Sequence, residues 1–170
     1  MDKIEELLKN PQTDLQKQAL TDKSYKKTPN NQDCKINFEL ATYGDAILKC
    51  ALCKIYFERE NIDNFGFKGK LTEWKKQYES DEVLVQVIAK HYTLLDFLKY
   101  DKEGNGKPEE QKPQDYEHKG QNDKDRHKYI ATAMEACIAA VYIENGEDEV
   151  IEIVKKWIRW IDKETNSSDT

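Results

Sequence analysis

Apolar residues recur along this chain at helical spacing, and no sustained apolar/polar alternation bounded by turn residues marks a strand. Residues 3–9 carry Ile4, Leu7 and Leu8, the pattern of a short amphipathic helix. Pro11 breaks it, and a second helix is predicted over 14–20. Thr28-Pro29-Asn30-Asn31 reads as a loop. From 37 to about 57 runs a long helix whose second half is apolar on nearly every side, through Ala46, Ile47, Leu48, Cys50, Ala51, Leu52, Cys53, Ile55, Tyr56 and Phe57. Such a helix belongs at the centre of a domain. Residues 61–69 form a loop with an exposed-looking pair, Phe65 and Phe67.

Beyond it, 71–78 is helical, with Trp74 and Tyr78 one turn apart. Residues 81–100 contain a helix opened by the capping run Ser80-Asp81-Glu82, its apolar set Val83, Leu84, Val87 and Ile88, then Leu94, Leu95 and Leu98. His91 falls inside that set and reads as packing or surface, not as a ligand. Across 101–128 only Tyr116 is clearly apolar. That composition buries too little surface to offset its ordering entropy, which predicts a long mobile polar loop inside one domain. A strong helix follows over 129–144, stopped by Asn145-Gly146, and a last one over 147–162, with Glu147, Asp148 and Glu149 at its positive end. The reading is all-α: one domain over 1–165, with 163–170 a polar tail.

Composition changes this picture little. Of 170 residues, 35% are charged and 38% apolar, enough for one packed core. The formal net charge of −6 argues against indiscriminate nucleic-acid binding and leaves room for a local basic patch. Met1-Asp2-Lys3-Ile4-Glu5-Glu6 is acidic where a secretory leader would be basic, and no run approaches the roughly 20 apolar residues of a membrane span. A soluble, cytoplasmic protein is expected. The cysteines, at 34, 50, 53 and 137, include one C-x-x-C spacing, Cys50 to Cys53. Without a second such pair they read as buried free thiols acting as small hydrophobes, not as a zinc site.

The candidate chemistry lies in four blocks. They are Ala19-Leu20-Thr21-Asp22-Lys23-Ser24-Tyr25, Asn37-Phe38-Glu39-Leu40-Ala41-Thr42-Tyr43-Gly44-Asp45-Ala46-Ile47-Leu48, Gly69-Lys70-Leu71-Thr72, and the run from Ala131 to Gly146. In this order they resemble the ribonuclease III family, whose signature helix reads N-E-R-L-E-F-L-G-D-A-V-L. The resemblance spans about residues 14 to 162. It implies the all-α ribonuclease III endonuclease fold, a homodimer formed across the signature helix, double-stranded RNA as substrate, and hydrolysis supported by Mg2+ or Mn2+. No double-stranded-RNA-binding domain is expected within the chain.

The family supplies four core carboxylates from two helices, each pair i, i+4 or i, i+3 apart and so on one face. The corresponding positions here are Ala41, Asp45, Thr132 and Glu135. Asp45 and Glu135 are therefore the expected catalytic and metal-binding residues. Ala41 has no donor, and Thr132 offers only a neutral hydroxyl. Lys68 stands where an accessory acid precedes the G-x-L-T block, and Phe38 where another opens the signature. Glu39, six residues before Asp45, turns away from its face. Loss of charged ligands should weaken divalent-metal binding. Asp115, His118, Asp123, Asp125 and His127 in the polar loop could supply replacements, although a solvated charged loop is the simpler reading. The expectation is a divergent ribonuclease III-family protein acting on duplex RNA with impaired catalysis. The alternative is a non-catalytic pseudo-nuclease that binds duplex RNA or a catalytically complete protein partner.

Overall fold

The structure is a computed structural model and describes residues 1–27, 31–60, 69–100 and 128–167. Helix α1 spans Lys3–Lys9, and its N-cap Asp2 accepts the Glu5 N–H at 2.9 Å. Helix α2, Asp14–Ala19, opens with a reciprocal capping box between Thr13 and Gln16. A 3-10 turn at Lys23–Lys27 leads toward α3, Phe38–Arg59. Helix α4 covers Lys70–Glu79. Helix α5 begins at Asp81–Val83 and widens into a π-helical turn over Leu84–Ala89. Helices α6, Lys128–Asn145, and α7, Glu147–Ser167, close the described chain. The Thr28–Asn30 part of the first expected loop, residues 61–68 with Phe65 and Phe67, and the polar stretch 101–127 lie outside the described residues.

Helices α3 and α6 form the centre, as the breadth of their apolar character requires. Leu48, Leu52, Ile130, Met134 and Ile138 are all fully buried. Helix α7 presents one strong stripe to them: Val150, Val154, Trp157 and Ile161 are buried. Gly146 makes the α6–α7 corner in the left-handed region, φ 89°, where a side chain would be strained. Trp74 of α4 lies between Tyr56 and Tyr78, at ring separations of 5.3 and 4.8 Å, and so ties α4 to the end of α3.

Two of the sequence blocks are joined directly. Asn37, 1% exposed, donates its side-chain amide to the Ala19 carbonyl, and its backbone N–H bonds to the Thr21 carbonyl at 2.9 Å. A parallel bridge pairs Thr21 with Lys99. That bridge explains why the helix expected within 81–100 stops before the segment ends. Thr93 adopts φ 50°, a 3-10 turn follows at Leu94–Asp96, and the reversal buries both Leu94 and Leu98 while Lys99 bonds to Leu20. At the other end, α7 continues through Ser167, past the expected stop at 162, with the Thr165 hydroxyl donating to the Ile161 carbonyl.

The thiols depart from their expected burial. Cys137 is fully buried and its pKa is pushed up to about 12 by burial, so it is inert. Cys50 is exposed because the outward side of α3 passes through position 50, and Cys34 and Cys53 are half-buried. No helix among the described residues is long and apolar enough to cross a membrane.

Candidate active site

The site is organised by a glycine. Gly44 of α3 sits against the backbone of α6, where any Cβ would overlap the Glu135 carbonyl oxygen and lie 3.3 Å from the Ala139 nitrogen. The two helices thus touch main chain to main chain. Asp45 follows Gly44 directly, and Glu135 is the residue whose carbonyl it meets. The crossing therefore sets the two expected acids in one electrostatic neighbourhood.

Their environments differ. Glu135 is partly buried, and its pKa is pushed up to about 7, first by burial, then by the negative charges of Asp45 and Asp81. Lys49 and Lys128 offset part of that rise. Asp45 is half-exposed and is held by Lys49, whose Nζ donates to Oδ2 at 2.7 Å. The hydrogen bond to Asp45 raises the Lys49 pKa against the opposing effect of desolvation, and the charges of Asp45, Glu79 and Glu135 add to it. One lysine thus pairs with Asp45 and is acted on by the charges of carboxylates from two further parts of the chain, the end of α4 and α6. Glu79 Oε2 is buried and lies 3.3 Å from Lys75 Nζ, without the alignment of a hydrogen bond.

Among the described residues, the other positions matched to the family's acids carry no carboxylate. Ala41 is 4% exposed, a small side chain absorbed into the core. The Thr132 hydroxyl donates to the Lys128 carbonyl at 2.7 Å, so it is engaged with its own helix. Phe38 is 60% exposed, and Glu39 is exposed. Lys68 and the loop residues Asp115, His118, Asp123, Asp125 and His127 lie outside the described residues. Among the described residues no group of three or more His, Cys, Asp or Glu side chains is placed to hold a metal ion. The described residues do not fit the four-carboxylate divalent site that the resemblance implies: of the four matched positions two carry acids, and one of these is ion-paired.

Lys49 and Asp81 are the participants that motif matching overlooks. Lys49 had a legible signal, because an acid followed by a lysine four residues later is the favoured i, i+4 pair on one helix face. Asp81 reads only as part of a helix cap, and its approach to Glu135 depends on tertiary packing. His91 stacks on Trp160 at 3.6 Å, as surface packing, beside an open cleft of about 570 Å³ that shares no lining residue with the acids. Against this geometry, a family model described as Ribonuclease-III-like matches residues 12–160.

Proposed function

The chain belongs to the ribonuclease-III-like family, and from that premise we propose that it engages double-stranded RNA as a homodimer without efficient metal-dependent cleavage. The observation that carries the proposal is the Asp45–Lys49 ion pair beside Glu135. Divalent ions act in phosphodiester hydrolysis by generating hydroxide and stabilising the leaving oxygen, and hard cations such as Mg2+ need several oxygen donors in fixed geometry. Here the family's helices still present their acids to one site, but half of the charged donors are gone. Asp45 spends an oxygen on an ammonium. What the chain's own residues do at the site is therefore to hold charge balance, not to gather a metal. RNA contact falls to local lysines around a net-acidic protein, Lys128 among them, whose charge acts on Glu135.

The test is a pair of assays on one preparation. Binding of a short RNA duplex is followed by fluorescence anisotropy in chelator, and cleavage is followed on gels with Mg2+ or Mn2+. The expected result is salt-sensitive binding with no cleavage beyond a slow residue. Rapid cleavage abolished by chelator would overturn the loss of catalysis, and absence of duplex binding at low salt would overturn the RNA assignment.

A further inference from the structure

We propose that Lys49 is the resident cation of this site, standing in for a divalent ion and keeping Mg2+ and Mn2+ away from Asp45 and Glu135. The inference rests on the preceding reading of the site and names the residue that enforces it.

Three observations converge on it. The Lys49 ammonium lies 2.7 Å from Asp45 Oδ2, in direct contact with one of the two acids that the family uses for metal. Its stem starts one turn after Asp45 on α3, so the contact needs no rearrangement of the fold. The charges of Glu135 and Glu79 also act on the same ammonium, so its influence reaches beyond Asp45 to the neighbouring acid. A positive charge at this point answers an otherwise costly feature, the burial of Glu135 next to another carboxylate.

The consequence for a metal is both steric and electrostatic. An entering ion must displace the ammonium from Asp45 or share the site with it. Breaking the pair itself costs little, since Asp45 and Lys49 are 36% and 44% exposed and such pairs are weak. The freed ammonium, however, stays tethered one turn along α3 and still shares the site's field with the ion. Sharing costs more. A divalent ion about 5 Å from an ammonium is opposed by roughly tenfold in affinity even with water-like screening. Removing the charge while keeping the helix should therefore open the acid pair to metal. The geometry also gives Lys49 a structural use, in that it relieves repulsion between Asp45 and Glu135 when no metal is present.

The experiment is a Mn2+ titration by calorimetry, at pH 8, on the full chain and on three variants. Lys49→Met keeps the aliphatic stem and removes the charge, Lys49→Arg keeps the charge, and Lys49→Met/Asp45→Asn removes the acid as well. Lys49→Met should bind Mn2+ at least tenfold more tightly than the wild type. Lys49→Arg should match the wild type, and the double variant should lose the gain. A folded Lys49→Met that binds no more tightly than the wild type, or a gain that survives Asp45→Asn, would overturn the assignment. Duplex-RNA cleavage by the wild type in the same buffer tests the preceding reading separately. Cleavage by the wild type together with tighter Mn2+ binding by Lys49→Met would sink that reading and overturn exclusion of the metal, leaving Lys49 only as a charge that weakens its binding. No cleavage and no gain would spare that reading and overturn the lysine's role.

Discussion

At the scale of single residues, Glu135 makes a pH-dependent statement. Its carboxyl is pushed up to about 7 in the folded chain, against an ordinary value of 4.5. Below 4.5 both folded and unfolded chains hold the proton, and the residue costs nothing. Between 4.5 and 7 the unfolded chain releases a proton that the folded chain keeps, so stability falls as pH rises. Above 7 the penalty is complete. Asp45 and Asp81 deepen it, and Lys49 and Lys128 lessen it. Glu135→Gln, neutral throughout, should therefore be more stable than the wild type at pH 8. The expected gain is on the order of 1 kcal/mol, discounted for partial solvent access. Urea unfolding at pH 8 and near pH 4.5 reads this, and the gain should vanish at the lower pH. An offset independent of pH would mean that Glu135 is not the group responsible. The sequence names Glu135 and Asp45 by motif but not their difference. That difference comes from Gly44, whose missing side chain lets α3 meet the α6 backbone. A glycine in a helix shows in the sequence, whereas the partner it admits does not.

At the scale of elements, the helices were legible wherever they carry a stripe of apolar residues. The regions read as helical over 37–57, 129–144 and 147–162 are the observed Phe38–Arg59, Lys128–Asn145 and Glu147–Ser167, shifted only at their ends. The failures are all places where tertiary contacts set the backbone. The π-helical turn at Leu84–Ala89, the left-handed Thr93 and the Thr21–Lys99 bridge have no local signature, because they accompany tertiary burial, of Leu84, Val85, Ile88 and Ala89 in the turn and of Leu94 and Leu98 beyond it. The same holds for the network that ties α1 to α7. Tyr92, 6% exposed, donates its hydroxyl to Asp2 Oδ2 at 2.7 Å and accepts from Trp157 Nε1 at 3.1 Å. Burial pushes the Tyr92 hydroxyl's pKa up, so it remains a donor. Burial also works against the Asp2 charge, but hydrogen bonds from Lys156, the Glu5 N–H and Tyr92 outweigh it and hold its pKa low. Lys156 completes the cluster by reaching Asp2 and Glu5 at 2.7 and 2.9 Å while lying over the Trp160 ring at 4.8 Å. Tyr92→Phe would leave the buried Trp157 N–H without this acceptor and should destabilise the fold by about 1–3 kcal/mol. Denaturant titration would measure it. A change within error would mean that water or another oxygen takes the hydroxyl's place.

At the scale of the whole molecule, the outward side of α3 carries exposed apolar side chains among the described residues. Phe38 is 60% and Tyr43 46% exposed, and Thr42, Ala46 and Cys50 are exposed between and beyond them. Tyr43 meets Tyr142 edge-on at 6.0 Å, which fixes one border of this surface to α6. Large side chains at one end and small ones along the middle allow a second helix to approach closely, as the proposed homodimer across the signature helix requires. Sedimentation at micromolar concentration should then give twice 19.9 kDa. Ala46→Arg adds a charge at an exposed position, so the monomer should keep its helical spectrum while the dimer is lost. Duplex-RNA affinity should fall with it, because a groove shared by two copies contributes phosphate contacts from both. Each chain carries a net −6, so those contacts must come from local lysines and the affinity should drop steeply with salt. A monomeric wild type at high concentration would remove the shared groove from the proposal. An Ala46→Arg protein that stays dimeric would move the interface elsewhere on the surface.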